Sequence, residues 1–95
     1  MNTIKVSEVV YREDLYPRFK PNPSKIQEYA ENLELLPPIE VSQHHILIDG
    51  YHRWKAYQTA GVDEIPCVIT EVKSEQELLM LAVRRNAAHG QQLTQ

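Results

Sequence analysis

A short apolar run at residues 46–48 passes through Asp49 and Gly50 straight into a helical pattern, and this turn constrains the fold more than any other feature. A strand-to-helix turn leaves the first backbone N–H groups of the helix unpaired, where the helix dipole favours negative charge. Gly50 lets the backbone approach a ligand because it lacks a Cβ, and His52 and Arg53 add cationic donors. The turn is therefore predicted to bind phosphate. The alternative is an ordinary turn whose Arg and His are solvated.

Periodicity predicts a strand and a helix in the first third of the chain. Alternating apolar residues within 3–10 indicate a short strand. Ser24 followed by Gln27 predicts a capping box that opens a helix, and Pro37-Pro38 prevent any continuation of that helix. The apolar face of the helix is predicted to consist of Ile26, Tyr29, Ala30 and Leu33.

The middle of the chain predicts a hairpin, a helix and a further strand. Two apolar pairs, at residues 39–41 and 46–48, flank a polar stretch in the manner of a β-hairpin. A helix is predicted at residues 51–60, with Gly61 as its C-terminal stop, and a strand at residues 65–70. The side chains that this helix is predicted to bury are Trp54 and Tyr57.

A last helix is predicted near the C-terminal end of the sequence. Ser74 with Glu77 three residues later predicts a second capping box. The core face of this helix is predicted to hold Leu78, Leu81 and Ala82, widened by Leu79, Met80 and Val83. The helices and strands together indicate one small α/β domain.

Composition limits the class of protein. A chain of 95 residues with 42% hydrophobic content can build one core but not two. It contains no apolar run of about eighteen residues and no signal peptide, so a cytoplasmic protein without membrane contact is expected. The net charge of −3, with mixed signs, indicates that any DNA-reading surface lies elsewhere. The single cysteine, Cys67, is predicted to be a buried hydrophobe.

Residues 50–56, GYHRWKA, resemble the Gly-Glu-Arg-Arg-Trp-Arg-Ala box of the ParB partition proteins. They also resemble the Gly-Gly-Cys-His-Arg signature of sulfiredoxin, which shares that fold. Residues 16–18 and 36–41 are similar to the segment that opens these domains and to their first core strand, and residues 86–93 resemble the Glu-Asn-Leu-Gln-Arg box of ParB. The resemblance implies an α/β domain of the α+β kind, with a short mixed sheet and about three helices.

The resemblance implies a single ParB/sulfiredoxin-like N-terminal domain at residues 1–95, followed in a longer protein by a helix-turn-helix part. It also implies a nucleotide site. The phosphate-binding residues would be Gly50, Tyr51, His52, Arg53, Arg18, Lys25, Asn86 and His89. The implied ligand is a nucleoside triphosphate, CTP in first place and ATP in second, with Mg²⁺. The implied partners are DNA, bound through the full-length protein, and a second copy that pairs on nucleotide binding.

Asn86 is also the candidate metal ligand, because a carboxamide oxygen can enter the shell of Mg²⁺ beside nucleotide phosphates. The chain departs from the ParB box around this residue. Arg85 stands in place of a Glu, His89 stands in place of an Arg, and Leu93 falls one residue late. These departures weaken the case for Mg²⁺ more than the case for nucleotide binding.

Three functional classes follow. The first is a nucleoside-triphosphate module of a ParB-family DNA-binding, partition or regulatory protein, in which slow hydrolysis resets a conformational switch. The second is an ATP- or ADP-dependent phosphoryl-transfer enzyme, which needs a carboxylate base near the turn, such as Asp49 or Glu40. Sulfiredoxin activity itself is excluded, because Tyr51 stands where that family has its catalytic Cys. The third is a metal-dependent nuclease. A domain that has kept the fold and lost the ligand is the remaining alternative.

Overall fold

The computed structural model describes residues 2–16 and 20–93, with side chains through residue 86. Four strands and three α-helices lie within these ranges. They are β1 Asn2–Lys5, α1 Pro23–Ala30, β2 Ile39–Ser42, β3 Leu47–Asp49, α2 Tyr51–Ala60, β4 Glu64–Thr70 and α3 Glu75–Leu93. Short 3-10 turns lie at Val6–Glu8, Glu13–Leu15 and Leu33–Leu35.

The strands form one mixed sheet in the order β1-β4-β2-β3, which confirms the predicted α+β class. β2 and β3 pair antiparallel, as the hairpin prediction requires, with Val41 opposite Leu47. β4 runs parallel to β2 and antiparallel to β1. The register between β2 and β3 shifts after this pair and sets Glu40 opposite Asp49. Glu40 is thereby brought beside the residue that precedes Gly50.

The core has two parts, one on each face of the sheet. Consecutive residues of a strand point to opposite faces, and Leu47 and Ile48 accordingly belong to different clusters. The cluster of Leu47 reaches α2 through Trp54 and Tyr57, which confirms that both aromatic side chains are core. The cluster on the other face consists of Leu15, Tyr16, Ile48, Val72, Leu78 and Ala82. Helices α2 and α3 therefore cover opposite faces of the sheet.

The start of α1 differs from the prediction. Asn22, not Ser24, is the N-cap, and its Oδ1 accepts a hydrogen bond from the Lys25 N–H at 3.1 Å. Pro23 then occupies the first helical position, where its fixed φ suits the helix and its missing N–H costs nothing. The predicted capping box of Ser24 and Gln27 is wrong because the Asn-Pro pair already caps the helix. The predicted face was also too long, since α1 ends at Ala30 and Leu33 lies in a 3-10 turn.

Helix α3 begins after Ser74 as predicted, with only the Ser74 half of the predicted capping box, and it buries fewer side chains than predicted. The Ser74 hydroxyl accepts from the Glu77 N–H at 3.1 Å, while the Glu77 carboxylate accepts from the Lys73 N–H. Leu78 and Ala82 are buried, as expected. The expectation that Leu79, Met80 and Val83 widen the core face is wrong, because these side chains are 43%, 52% and 52% exposed. At about 100° per residue, all three turn away from the line of Leu78 and Ala82.

The N-terminal strand is shorter than predicted. β1 ends at Lys5, and a 3-10 turn at Val6–Glu8 follows before Val10 makes an isolated bridge with Ile46. Cys67 is buried in β4 as expected, and this burial raises the pKa of its thiol. Within the described ranges, none of the helices is both long enough and apolar enough to cross a membrane.

Candidate functional site at the Gly50 turn

Gly50 joins β3 to α2 in a backbone conformation that favours glycine. Its φ is +109° and its ψ is 34°, and the Trp54 N–H donates to its carbonyl oxygen at 2.9 Å to begin the helix. A Cβ added here would lie 2.6 Å from Cγ2 of Ile39 and 3.2 Å from Nη2 of Arg53. The start of α2 therefore presses against β2, and glycine supplies no side chain to cap it.

Arg53 lies under this turn and holds the entry to β2. Its Nη1 donates to the carbonyl oxygen of Pro38 at 2.6 Å and to that of Pro37 at 3.2 Å. Its Nη2 lies 3.4 Å from Oδ2 of Asp49, and only 12% of the Arg53 side chain is exposed. The sequence predicted that Arg53 binds phosphate or forms a surface ion pair. It did not predict the hydrogen bonds from Arg53 to the carbonyl oxygens of Pro37 and Pro38. The two carbonyls precede β2 and have no sequence signal of their own.

His52 connects the turn to the start of α1. Its Nε2 accepts a hydrogen bond from the backbone N–H of Asn22, the residue that caps α1, at 3.0 Å. A ring nitrogen that accepts is unprotonated, so this arrangement belongs to the neutral imidazole. Lys25 contributes its backbone N–H to the same cap, and its amino group lies 5.6 Å from the centre of the Tyr29 ring. Arg18 lies outside the described residues.

The side chain of Tyr51 packs in a group of aromatic rings. Its ring centre lies 5.0 Å from that of Tyr11 and 5.9 Å from that of Trp54. Lys55 places its amino group 4.9 Å from the centre of the Trp54 ring and 5.8 Å from that of Tyr51. Burial, followed by the charge of Glu13, raises the pKa of the Tyr51 hydroxyl above its ordinary value. The phenol at the first position of α2 is therefore uncharged at neutral pH.

A second ion pair beside the turn was not predicted. Glu40, in β2, accepts from Nε of Arg85 at 2.7 Å and from Nη2 at 3.2 Å, and the hydroxyl of Thr70 donates to it at 2.6 Å. Burial alone would raise the pKa of Glu40, but the bonds from Arg85 and Thr70 outweigh burial and lower it. Forty-five residues separate the two charged partners, so no local pattern could reveal them.

The C-terminal candidates are brought towards the turn only in part. Arg85 comes from α3 and reaches Glu40, the cross-strand neighbour of Asp49. Asn86 uses its Nδ2 to donate to the carbonyl oxygen of Ala82 at 2.8 Å. His89 lies in α3, but its side chain is outside the described part. Within the described ranges no three His, Cys, Asp or Glu side chains gather as a metal site, and Mg²⁺ binding and nuclease activity stay predictions.

Comparison with known sequences identifies the family. The profile of the ParB N-terminal domain matches residues 1–87. The chain therefore belongs to the ParB N-terminal domain family. A probable chromosome-partitioning protein ParB of Pseudomonas putida is 31% identical over 83 residues, which cover 80% of this chain and 29% of that protein. An ATP-dependent L-serine kinase of Desulfurococcus mucosus is 32% identical over 77 residues, covering 76% of this chain and 29% of the kinase. The chain thus spans less than a third of each relative.

Solved structures share the fold. A C-terminally truncated ParB of Caulobacter crescentus complexed with CTP-gamma-S matches with a TM-score of 0.75 and 19% identity, over 92% of this chain and 52% of that one. The same protein complexed to the centromeric parS site matches at 0.74 with 20% identity, over 90% and 46%. Sulfiredoxin from Arabidopsis thaliana matches at 0.65 with 21% identity, over 88% and 99%. The predicted ParB/sulfiredoxin-like fold is confirmed.

Proposed function

We propose that this domain binds a nucleoside triphosphate, CTP by preference, at the Gly50 turn as part of a ParB-type DNA-binding protein. The observation that carries the proposal is the tight fit of Gly50 against Ile39, which places the start of α2 at the end of β3 with no capping side chain from Gly50. Backbone N–H groups at such a helix start suit phosphate oxygens. Membership of the ParB N-terminal domain family and the fold shared with a CTP-gamma-S complex support this choice of ligand.

The proposed site has an inner and an outer set of contacts. The inner set is the backbone of Gly50 and Tyr51 with the side chain of His52, which would give up Asn22 and donate to phosphate once protonated. Arg53 contributes through its position under the turn, because two prolyl carbonyls already engage its Nη1. The outer set in this proposal is Arg18, Lys25, Asn86 and His89.

Binding is proposed to act as a switch in the longer protein. A triphosphate shifts a conformational equilibrium only by its differential affinity for the two states. Pairing with a second copy would provide such a second state, and slow hydrolysis would reset it. DNA binding is assigned to the rest of the protein, because this chain carries a net charge of −3. A structural neighbour in complex with the centromeric parS site supports DNA as a partner of the longer protein.

Calorimetric titration of the chain with CTP, ATP and GTP, each with and without Mg²⁺, tests the proposal. We expect saturable CTP binding that weakens roughly tenfold in His52→Ala, the size of one charge-assisted hydrogen bond. His44→Ala is the matched control, because His44 is an exposed histidine of the β2–β3 hairpin and should leave affinity unchanged. Equal affinities of the two variants would remove His52 from the site. The absence of binding by any triphosphate would contradict the proposed function.

A second function has its own supporting observation. Glu40 and Asp49 are cross-strand partners next to the Gly50 turn, where a phosphoryl-transfer enzyme needs a carboxylate base. The base would take the proton of an acceptor hydroxyl while that oxygen bonds to the γ-phosphorus, and ADP would leave. The similarity to an L-serine kinase suggests L-serine as one acceptor to test. ADP release from ATP that requires L-serine and is lost in Asp49→Asn would favour this function, and ADP release independent of L-serine would count against it.

A further inference from the structure

Two carboxylates flank the Gly50 turn, and each faces its own arginine. Asp49 lies 3.4 Å from Arg53, and Glu40 is held by Arg85 at 2.7 Å. The two acidic side chains are 21% and 14% exposed, so solvent screens them poorly. We call these four residues, Asp49, Arg53, Glu40 and Arg85, the charge quartet.

The quartet sets the balance of charge beside the Gly50 turn. Cross-strand partners lie about 5 Å apart at Cβ, so the charge of Glu40 acts on any phosphate bound next to Asp49. An uncompensated carboxylate there would repel a triphosphate strongly, because a triphosphate carries several negative charges. Arg85 cancels the charge of Glu40 while Thr70 satisfies one of its oxygens.

Arg85 reaches the quartet from another element. It lies on α3, whose attachment to the sheet depends on the buried Leu78 and Ala82, and its own side chain is 41% exposed. The charge of Asp49 also acts on Arg85, after the stronger effect of Glu40, and both raise its pKa. The guanidinium is thus held by charge more than by packing, and its removal leaves the apolar attachment of α3 in place.

We propose that Arg85 is a positioning residue of the anion site: by holding and neutralising Glu40, it makes the Gly50 turn receptive to a triphosphate. This inference rests on the proposed function. Its distinguishing consequence is that Arg85 matters only while Glu40 carries a charge. A direct phosphate ligand would matter whether or not Glu40 is charged.

The test is a double-substitution cycle titrated with CTP, ATP and inorganic triphosphate. Arg85→Gln should bind the triphosphate that wild type prefers roughly tenfold more weakly, by the Coulomb energy of one nearby charge. Glu40→Gln should bind it at least as tightly as wild type, and the double variant should recover wild-type affinity within about twofold. Arg84→Gln, which removes the same charge from the exposed neighbouring position, and Glu71→Gln are the matched controls.

The outcomes separate the two proposals. Wild type that binds none of the three probes would overturn the proposed function and this inference with it. Wild type that binds, with Arg85→Gln unchanged, would overturn the inference alone, as would a double variant that stays as weak as Arg85→Gln. Circular dichroism checks folding of each variant. If Arg85→Gln does not fold, equal affinity of Glu40→Gln and the double variant supports the inference, and a weaker double variant overturns it.

Discussion

The Arg53 guanidinium donates a 2.6 Å hydrogen bond to the carbonyl oxygen of Pro38, and this bond ties the first turn of α2 to the segment that enters β2. The Pro37 carbonyl accepts from the same nitrogen at 3.2 Å. A side chain that the sequence assigns to phosphate thus also holds the backbone around the site. Its loss would change the shape of the turn as well as its charge, so stability and binding must be measured separately.

We expect Arg53→Ala to lower the free energy of unfolding by about 1–3 kcal/mol, because the exposed Pro37 carbonyl and the partly buried Pro38 carbonyl both lose their charged donor. Arg53→Lys should recover part of this loss, since an ammonium can reach one carbonyl but lacks the guanidinium fork. Urea unfolding measures both changes. Arg84→Ala is the control on an exposed helix face and should stay within about 0.5 kcal/mol of wild type. Equal losses of stability in the two alanine variants would show that the hydrogen bonds from Arg53 to the prolyl carbonyls do not stabilise the fold.

Gly50→Ala should be the most damaging single-methyl change in the turn. Its Cβ would meet Cγ2 of Ile39 at 2.6 Å in a backbone conformation that side chains rarely adopt. We expect a loss of about 2–5 kcal/mol from strain and overpacking combined. Gly61→Ala is the matched control, because Gly61 also has a positive φ, +73°, but nothing lies within 4 Å of its added Cβ. That variant should lose only about 1–2 kcal/mol in the same urea titration. Similar losses at the two positions would show that contact with Ile39 is unimportant.

The order of strands and helices could be predicted from the sequence because those signals are local. The hairpin, the helix at Tyr51–Ala60 and the C-terminal stop at Gly61 all follow from spacing and turn residues, and all are confirmed. The cap of α1 was missed for a local reason too. Ser24 satisfied the capping pattern, but Asn22 with Pro23 satisfied it two residues earlier.

That cap gives a direct comparison. Asn22→Ala should lower the free energy of unfolding by about 1 kcal/mol, because the Lys25 N–H loses its acceptor. Ser24→Ala should change it by less than about 0.5 kcal/mol, since Ser24 is exposed and is not the cap. Thermal unfolding followed by circular dichroism suffices for both. A larger loss of stability in Ser24→Ala than in Asn22→Ala would support the capping box that was predicted from the sequence.

The site was less predictable than the fold because its contacts are long-range. Gly50, His52 and Arg53 are contiguous, so the sequence could group them. The pair of Glu40 and Arg85 joins residues 45 positions apart, and the donors and acceptors that occupy Arg53 and His52 are backbone atoms of distant residues. Every residue has a backbone carbonyl group, and almost every residue has a backbone N–H. The identities of the side chains therefore do not show which backbone group forms a hydrogen bond with Arg53 or His52.

Ionisation of Glu40 should make the folded domain more stable at neutral pH than at acidic pH. Because the folded state lowers its pKa from 4.5, the charged form stabilises the fold fully above that value. The contribution should vanish as pH falls below 4.5 through the lowered pKa. Urea unfolding of wild type and Glu40→Gln between pH 7 and pH 3 measures it as the difference between the two proteins. In an Arg85→Gln background the pKa of Glu40 should rise, because burial is then opposed mainly by the Thr70 hydrogen bond, and the stabilisation that the carboxylate contributes at neutral pH should shrink. A difference that stays constant down to pH 3 in both backgrounds would show that the carboxylate is not stabilised by this ion pair.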